Sequence, residues 1–542
     1  MSSCNYQYPL NKVETLNSFR ELINYGAEKF AQRPAFIYQN NEDEPLKTVT
    51  YQQWRDEVTS ASAGLVRLLK LSSQRREGKK IAVIAGNSYS WVLAYFAIVN
   101  INQVVVPLDW QLPVRDLINA LQKANVSAII FAPEIADKIA EIKAANLKIR
   151  HFISWQKNSV TTVTWAQVMD NGAKELVENP DFNKEWSVYP DALSTIMFTS
   201  GTISSPKGVM LTQSGLLANA TGIAQLLDLN QEVLLSVLPL FHAYEFTAGT
   251  LTQLYSGSTI YYLPGGLHNF AQNLQKVRPT LLFLVPLIVE GCYSRIVQAL
   301  PENSEQKTIN QVTKKYFGGR LRKIIVGGAP LNPEVADKFE EMKTTIIQGY
   351  GASENSPVIA TGRDRANKHK SVGFPLPNSK VKIDQPNEEG IGEILVHGPS
   401  VMLGYYCDEK KTNEAIVDGW LHTGDYGYFD DDGFLYVAGR KKNVIIGKNA
   451  KNIYPEELEF LLNNQDGITE SLVYGEIIND DVQVAALIVP QANLNLPLDE
   501  LQAFVRQKVK AINRNNAPYK EIKKWRLVAG LPRNVVGKIK RT

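Results

Sequence analysis

The fold of this chain is constrained most by one pattern that occurs in two long runs. A short apolar segment of strand type ends in a glycine- or proline-bearing loop, and helical spacing follows. In the first run Lys80-Ile-Ala-Val-Ile-Ala85 leads into Gly86-Asn87 and then into helical spacing through Trp91, Tyr95 and Ile98. Gln103-Val-Val-Val-Pro107 precedes a helix over Pro113 to Ala124, and Val126 to Phe131 is a further strand. Helical spacing over Leu16 to Gln32 and Tyr51 to Leu69 and short strands at Ala35–Tyr38 and Thr48–Tyr51 come before this run. In the second run Leu234–Leu238 precedes Pro239-Leu-Phe-His242, Thr259–Tyr262 precedes Pro264-Gly-Gly266, and Leu281–Val285 precedes Pro286. Lys323–Val326 then precedes Gly327-Gly-Ala-Pro330, and Thr345–Gln348 precedes Gly349-Tyr-Gly-Ala-Ser-Glu354. Such alternation predicts α/β structure with parallel sheets, as two subdomains. Ligands of such sheets bind beyond the carboxyl ends of the strands, so these loops can share a cleft.

From Val381 the pattern changes to short β segments, with a hairpin signal at Asp430-Asp-Asp-Gly433. After the charged break Gly439-Arg-Lys-Lys442 comes a final α+β segment. The expected organisation is a large N-terminal domain over 1–438, made of two α/β subdomains and a small β-rich unit. A hinge at 439–442 and a small mobile C-terminal domain over 443–542 follow. A length of 542 residues is too great for a single core, and 44% hydrophobic with 21% charged residues is globular composition. The net charge of +3 implies no nucleic-acid or membrane field over the whole chain, so no nucleic-acid partner is expected. Peripheral membrane contact stays open. The basic tail around Arg506, Lys510 and Arg514 suits either solvent or a face that meets phosphates or an acidic partner. Three scattered cysteines, Cys4, Cys292 and Cys407, have neither disulfide-framework nor metal-ligand spacing. With no basic segment leading an apolar run at Met1–Tyr8, a cytoplasmic setting is expected. Trp91 to Leu108 is apolar but carries Asn100, Asn102 and Gln103, and reads as buried helix then strand.

Four further stretches carry chemistry. Phe198-Thr-Ser-Gly-Thr-Ile-Ser-Ser-Pro-Lys-Gly-Val209 follows an apolar strand and precedes Met210 to Asn219, which reads as a capped helix start. Its hydroxyls, glycines and Lys207 suit a polyphosphate, although composition alone favours a solvated Ser/Thr turn. It is not a Walker loop, because no Gly-Lys-Ser/Thr closes the spacer. In Gly349–Glu354 an aromatic ring suits a purine and Glu354 suits magnesium, although Ser353-Glu354 also fits a helix cap. In Trp420-Leu-His-Thr-Gly-Asp425 the aspartate can accept two hydroxyl hydrogen bonds, or form a turn. Leu531-Pro-Arg-Asn-Val-Val-Gly-Lys-Ile-Lys540 sets Lys538 after a glycine, within a basic tail.

These motifs together resemble those of the acyl-adenylate-forming enzymes, the family of acyl-CoA synthetases, adenylation domains and firefly luciferase. The order matches along almost the whole chain: phosphate loop, aromatic-Gly-Glu loop, Thr-Gly-Asp, Gly-Arg hinge, terminal lysine. The resemblance implies that Thr199, Ser200, Gly201, Thr202 and Lys207 hold the ATP phosphates. It implies that Thr199 and Glu354 bind Mg2+, that Tyr350 with Gly351 faces adenine, and that Ser353 faces the α-phosphate. Gly327, Gly328 and Ala329 would line the adenine and acyl pockets, with His242 on the acid side. Asp425 and Arg440 would contact the ribose and phosphates. Lys538 would bind the attacking carboxylate and α-phosphate, with Glu354 and Lys207 as the other catalytic residues and Lys442 as a pivot. Ile203 and Ser204 depart from the phosphate-loop signature, and Asn534 replaces a threonine in the terminal motif.

Pro239-Leu-Phe-His242, Val285–Glu290 and Gly439–Ile446 look most like the long-chain fatty acyl-CoA synthetase branch. The resemblance implies ATP-dependent formation of an acyl-AMP from a medium- or long-chain fatty acid, then transfer to coenzyme A. Ala450 stands where that branch usually has glycine, so the thiol acceptor is open. An acyl-AMP ligase loading an acyl carrier protein through its phosphopantetheine is one alternative. An aryl or cyclic acid-CoA ligase and a non-catalytic nucleotide-binding protein are the others.

Overall fold

The computed structural model describes residues 6, 8–72, 78–199, 206–446, 452–478, 481–533, 539 and 541. The chain divides into two compact units: Met1–Val381 with Val396–Leu421, and Lys382–Leu395 with His422–Thr542. Among the described residues no helix is long and apolar enough to cross a membrane.

The first unit holds two sheets. One has eight strands in the order Gly404–Tyr405, Lys207–Thr212, Leu193–Thr199, Val104–Leu108, Lys80–Ile84, Ala128–Phe131, His151–Ser154 and Val163–Thr164. It is parallel from Leu193–Thr199 to Val163–Thr164 and antiparallel at the other edge. The second has nine strands: Phe374–Pro375, Val358–Thr361, Thr345–Gly351, Lys323–Val326, Leu281–Leu284, Val233–Leu235, Thr259–Tyr262, Pro34–Tyr38 and Lys47–Thr50. Its centre is parallel and both its edges are antiparallel. Central strands are covered on both faces, which is why they read as unbroken apolar runs rather than alternation. Ile81 to Ile84 and Leu281, Leu282 and Leu284 are wholly buried.

Trp91 to Leu108 folds as expected, with helix Tyr89–Asn100 and strand Val104–Leu108. Ser88 starts that helix, its hydroxyl accepting from the Trp91 N–H, a cap worth about 1 kcal/mol. All of the helix except Ser90 is buried. Its rings meet Phe246, with centroids 4.2 Å from Tyr95 and 5.9 Å from Trp91. Helices Tyr51–Leu69 and Trp165–Glu178 come very close together, because Gly64 lies against the Val168 carbonyl and Gly172 against that of Ser60.

Two sequence expectations shift. The first helix spans Phe19–Lys29 only, capped by Ser18. Met210 and Leu211 belong to strand Lys207–Thr212, and the helix starts at Gln213 with Thr212 as its cap. That strand is laddered on both sides, by Leu193–Thr199 and by Gly404–Tyr405, and this long-range pairing outweighs the local helix signal.

In the second unit Asp425–Phe429 and Leu435–Arg440 form an antiparallel hairpin. The Asp430–Gly433 turn is as expected: the Gly433 N–H donates to Asp430 O at 3.0 Å, and Gly433 has φ +85°. A three-stranded sheet follows, Ile468–Ile478, Asp481–Pro490 and Ile522–Leu527. Helices Pro455–Asn463 and Leu498–Asn515 pack on it through Leu458, Leu462, Val505 and Val509.

Candidate active site

In the first unit the hairpin of Leu193–Thr199 and Lys207–Thr212 carries the phosphate-loop motif, with Thr199 paired to Lys207 at the end where the two strands are joined. Strand Gly404–Tyr405 lies on the outer side of this hairpin, Tyr405 opposite Val209. That register brings the Tyr405 ring beneath Lys207, whose Nζ is 4.5 Å from the ring centroid. The Tyr405 hydroxyl donates to Glu354 Oε1 at 2.8 Å. Burial first, and then the Glu354 carboxylate, hold this phenol protonated far above its ordinary range. Thr199, Lys207, Tyr405 and Glu354 are thus gathered in one place.

Glu354 sits in the one-turn helix Ser353–Asn355 just after strand Thr345–Gly351. No side-chain cap starts that turn, so Ser353 does not act as a helix cap. The turn is fixed from below by Asn219, whose Nδ2 donates to the carbonyls of Asn355 and Val358 at 2.9 and 2.8 Å. The Met402 N–H donates to Glu354 O at 2.8 Å. Gly351 lies against the Pro357 carbonyl, where any Cβ would collide, so its glycine is a steric requirement.

The neighbouring loops carry the other selected residues. Gln348 pairs with Val326 on adjacent strands, so the Gly327–Ala329 loop leaves the sheet beside Gly349, where strand Thr345–Gly351 runs on paired with Val358–Thr361. Gly327 faces the Tyr244 ring, which a Cβ would meet at 3.0 Å. The Tyr244 hydroxyl donates to the Ile325 carbonyl at 3.0 Å, and its ring stands edge-on to Phe283. Gly328 has φ +87°, a conformation that favours glycine. His242 closes a turn in which its N–H donates to Pro239 O at 3.0 Å.

In the second unit Asp425 and Arg440 are opposite one another in the hairpin, and Arg440 Nε donates to Asp425 Oδ1 at 2.8 Å. The carboxylate is buried and the guanidinium half-exposed. Thr423 orients this strand: its hydroxyl donates to the Ile394 carbonyl at 2.8 Å and accepts from the Asp425 N–H at 3.1 Å. Glu393 accepts from Lys441 at 2.7 Å and lies 3.2 Å from His422 Nδ1. Burial raises the Glu393 carboxyl, but Lys441 and His422 bring it below its ordinary value. Lys442 is exposed in the short turn Lys441–Asn443.

Ser200, Gly201, Thr202, Ile203, Ser204, Ala450, Asn534 and Lys538 lie outside the described residues. Among the described residues no cluster of three His, Cys, Asp or Glu side chains is built to cage a metal. The Glu354 carboxylate and the Thr199 hydroxyl, linked through Tyr405 and Lys207, are instead hard-oxygen donors. They fit Mg2+, which is commonly held by one or two carboxylates plus substrate phosphates. Sequence reasoning missed Tyr405, Asn219 and Tyr244. Only Tyr244 carried a signal, as an aromatic two residues after His242.

The AMP-binding enzyme family model matches residues 24–406. The long-chain-fatty-acid–CoA ligase of Bacillus subtilis (strain 168) is 30% identical over 506 residues, covering 86% of this chain and 85% of that protein. Feruloyl-CoA synthase of Amycolatopsis sp is 30% identical over 478 residues, covering 86% and 88%. Among solved structures, an anthranilate CoA ligase in complex with anthranoyl-AMP aligns with TM-score 0.78 at 19% identity, covering 98% of this chain and 96% of that one. The o-succinylbenzoate CoA synthetase of Bacillus subtilis, in complex with its acyl-adenylate intermediate, aligns with TM-score 0.73 at 23% identity, covering 96% of each. The structural likeness establishes the α/β architecture expected from the strand pattern.

Proposed function

Since this chain belongs to the AMP-binding enzyme family and is by that membership an acid–thiol ligase, we propose that it activates a carboxylic acid with ATP. The acyl group of the resulting acyl-AMP then passes to the thiol of coenzyme A. The observation that carries this reading is the gathering of Lys207, Tyr405, Glu354 and Thr199 at the joined end of one hairpin. A lysine, a carboxylate and a hydroxyl in one place can hold a polyphosphate and its metal. Glu354 and Thr199 would hold Mg2+, which when bound offsets phosphate charge. Lys207 would bind phosphate oxygens, Tyr350 and the Gly327–Ala329 loop would flank adenine, and Asp425 with Arg440 would bind ribose. Lys538 would place the attacking carboxylate beside the α-phosphate, a task of orientation and charge neutralisation. Lys442 would be the pivot between the two half-reactions, with the mobile domain beginning after it.

For the acid, a medium- or long-chain fatty acid is the first reading. It is supported by the long-chain-fatty-acid–CoA ligases among the relatives, such as that of Bacillus subtilis. One observation favours an aryl acid as the second: the Tyr244 ring lies against Gly327, with the Phe283 ring edge-on to Tyr244. Exchange of labelled pyrophosphate into ATP, run over a panel of fatty and aryl acids, tests both. Exchange with none of them would refute the reading. The productive acids, offered with coenzyme A or with a phosphopantetheinylated carrier protein, then identify the acceptor by thioester formation.

A further inference from the structure

The loop that carries His242 has a built-in difficulty. Pro239 has no N–H, so the loop after strand Val233–Leu235 has no backbone donor at that residue. The side chain of Asn87 compensates on both sides of the proline. Its Nδ2 donates to the Leu238 carbonyl at 2.6 Å, and its Oδ1 accepts from the Leu240 N–H at 3.0 Å. A carbonyl can only accept and an N–H can only donate, so these two partners fix which end of the amide is which. Asn87 follows strand Lys80–Ile84 of the eight-stranded sheet, whereas the loop leaves the nine-stranded sheet. One side chain therefore joins the carboxyl-end loops of both sheets.

The link continues inward. Asn87 Nδ2 also donates to Ser236 Oγ at 3.2 Å, and Ser236 Oγ donates to Glu245 Oε1 at 2.5 Å. Glu245 is 2% exposed and opens the π-helical segment Glu245–Leu251. The Pro239–Tyr244 stretch is thus held at its start by Asn87 and at its end by Glu245. Between these anchors lie His242 and Tyr244, and Tyr244 is the residue that rests on Gly327.

We propose that Asn87, acting with Ser236 and Glu245, is a positioning residue for recognition of the acid: it sets the place of the His242–Tyr244 stretch against Gly327. The inference rests on the reading of that stretch as the acid side of the site. The Gly327–Ala329 loop would also flank adenine, but the proposed phosphate and ribose contacts of ATP lie on residues that the clasp does not touch, so loss of the clasp affects the acid more than ATP.

The test uses the full chain in the acid-dependent exchange assay, with Asn87→Asp, Asn87→Ala, Ser236→Ala, Glu245→Gln and Glu245→Leu. Melting temperature is recorded for each. An aspartate keeps the acceptor for Leu240 but cannot donate to Leu238 or Ser236. Asn87→Asp and Asn87→Ala should therefore raise KM for the acid about tenfold, the scale of one or two lost hydrogen bonds. KM for ATP should stay within about twofold in these variants. Glu245→Gln retains an acceptor for Ser236 and should rescue acid KM to within about threefold, where Glu245→Leu does not. Equal rises in both KM values, or a lower melting temperature with acid KM unchanged, would reduce the clasp to a structural role and overturn the proposal. No exchange by the wild-type chain with any acid would overturn the reading beneath it, and the inference with it.

Discussion

The hydroxyl of Tyr405 donates to Glu354 Oε1 at 2.8 Å, while the ring of the same residue lies 4.5 Å from the Lys207 ammonium. One side chain thus orients both the carboxylate proposed for magnesium and the lysine proposed for phosphate. Tyr405→Phe keeps the ring and loses the donor, so exchange should fall about tenfold with a raised magnesium requirement. Tyr405→Ala also removes the surface under Lys207 and should fall about a further tenfold, since a desolvated cation–ring contact is worth up to about 2 kcal/mol. Magnesium titrations of initial exchange rates check both. Wild-type rates in the alanine variant would remove Tyr405 from the site.

Asp425 and Arg440 form a pair within the second unit, and the proposed ribose role rests on the carboxylate. Asp425→Asn should raise KM for ATP about tenfold and leave KM for the acid unchanged, because a neutral amide accepts hydroxyl hydrogen bonds less well. Arg440→Ala should have the smaller effect, since the guanidinium is half-exposed and screened by solvent. Substrate-saturation curves for ATP in the exchange assay distinguish the two. Equal acid and ATP effects would place Asp425 elsewhere in the reaction.

The parts of this protein that could be read from sequence are those written in local order. Ile81 to Ile84 and Leu281 to Leu284 had to be buried parallel strands, because an exposed face would need polar alternation. Glu354 and Asp425 stood out because their neighbours form short contiguous motifs. Tyr405 could not be found this way: it reaches Lys207 and Glu354 only through antiparallel pairing between segments far apart in the chain. The same holds for strand Lys207–Thr212, where local order favoured a helix start and a distant partner decided otherwise. Asn219 and Asn87 are single polar residues whose partners, mostly backbone groups, lie in remote segments, and no spacing rule points to them.

Gly64 and Gly172 set how closely two helices approach. A Cβ at Gly64 would lie 1.9 Å from Val168 O, and one at Gly172 would lie 1.8 Å from Ser60 O. Backbone atoms cannot turn aside as side chains do, so Gly172→Ala must push the helices apart. Stability should fall by about 1–3 kcal/mol, the usual range for overpacking. Denaturant unfolding of the first unit and exchange per folded molecule are the two measurements. A lower midpoint with exchange within about twofold of wild type is expected; an unchanged midpoint would contradict the geometry.

The proposed roles of Lys538 and Lys442 differ between the two half-reactions. Lys538→Ala should abolish acyl-AMP formation and spare thioester formation from supplied acyl-AMP. Lys442→Pro fixes one backbone angle at the proposed pivot, so it should keep adenylation and lose transfer. Each half-reaction is measured separately in each variant. Proportionate loss of both steps in both variants would end the case for a pivot.

Glu245 makes stability depend on pH in a direction that can be worked out. Burial pushes its carboxyl up to about 8 from an ordinary 4.5, and the hydrogen bond from Ser236 recovers only part of that shift. Its neighbours Ser236, Tyr244 and Tyr262 bring no positive charge to hold the ionised form. Below about pH 4.5 the folded and unfolded chains both carry the proton, and the group makes no difference. Between about 4.5 and about 8 the folded chain keeps a proton that the unfolded chain releases. Stability from this group is therefore lost as pH rises, by about 1.4 kcal/mol per pH unit at the steepest, and the loss levels off above its folded value. Glu245→Gln has no proton to lose. The difference in denaturation midpoint, variant minus wild type, should rise with pH across that window and flatten above about 8. A difference that stays constant from pH 5 to pH 9 would mean that Glu245 is ionised where it lies.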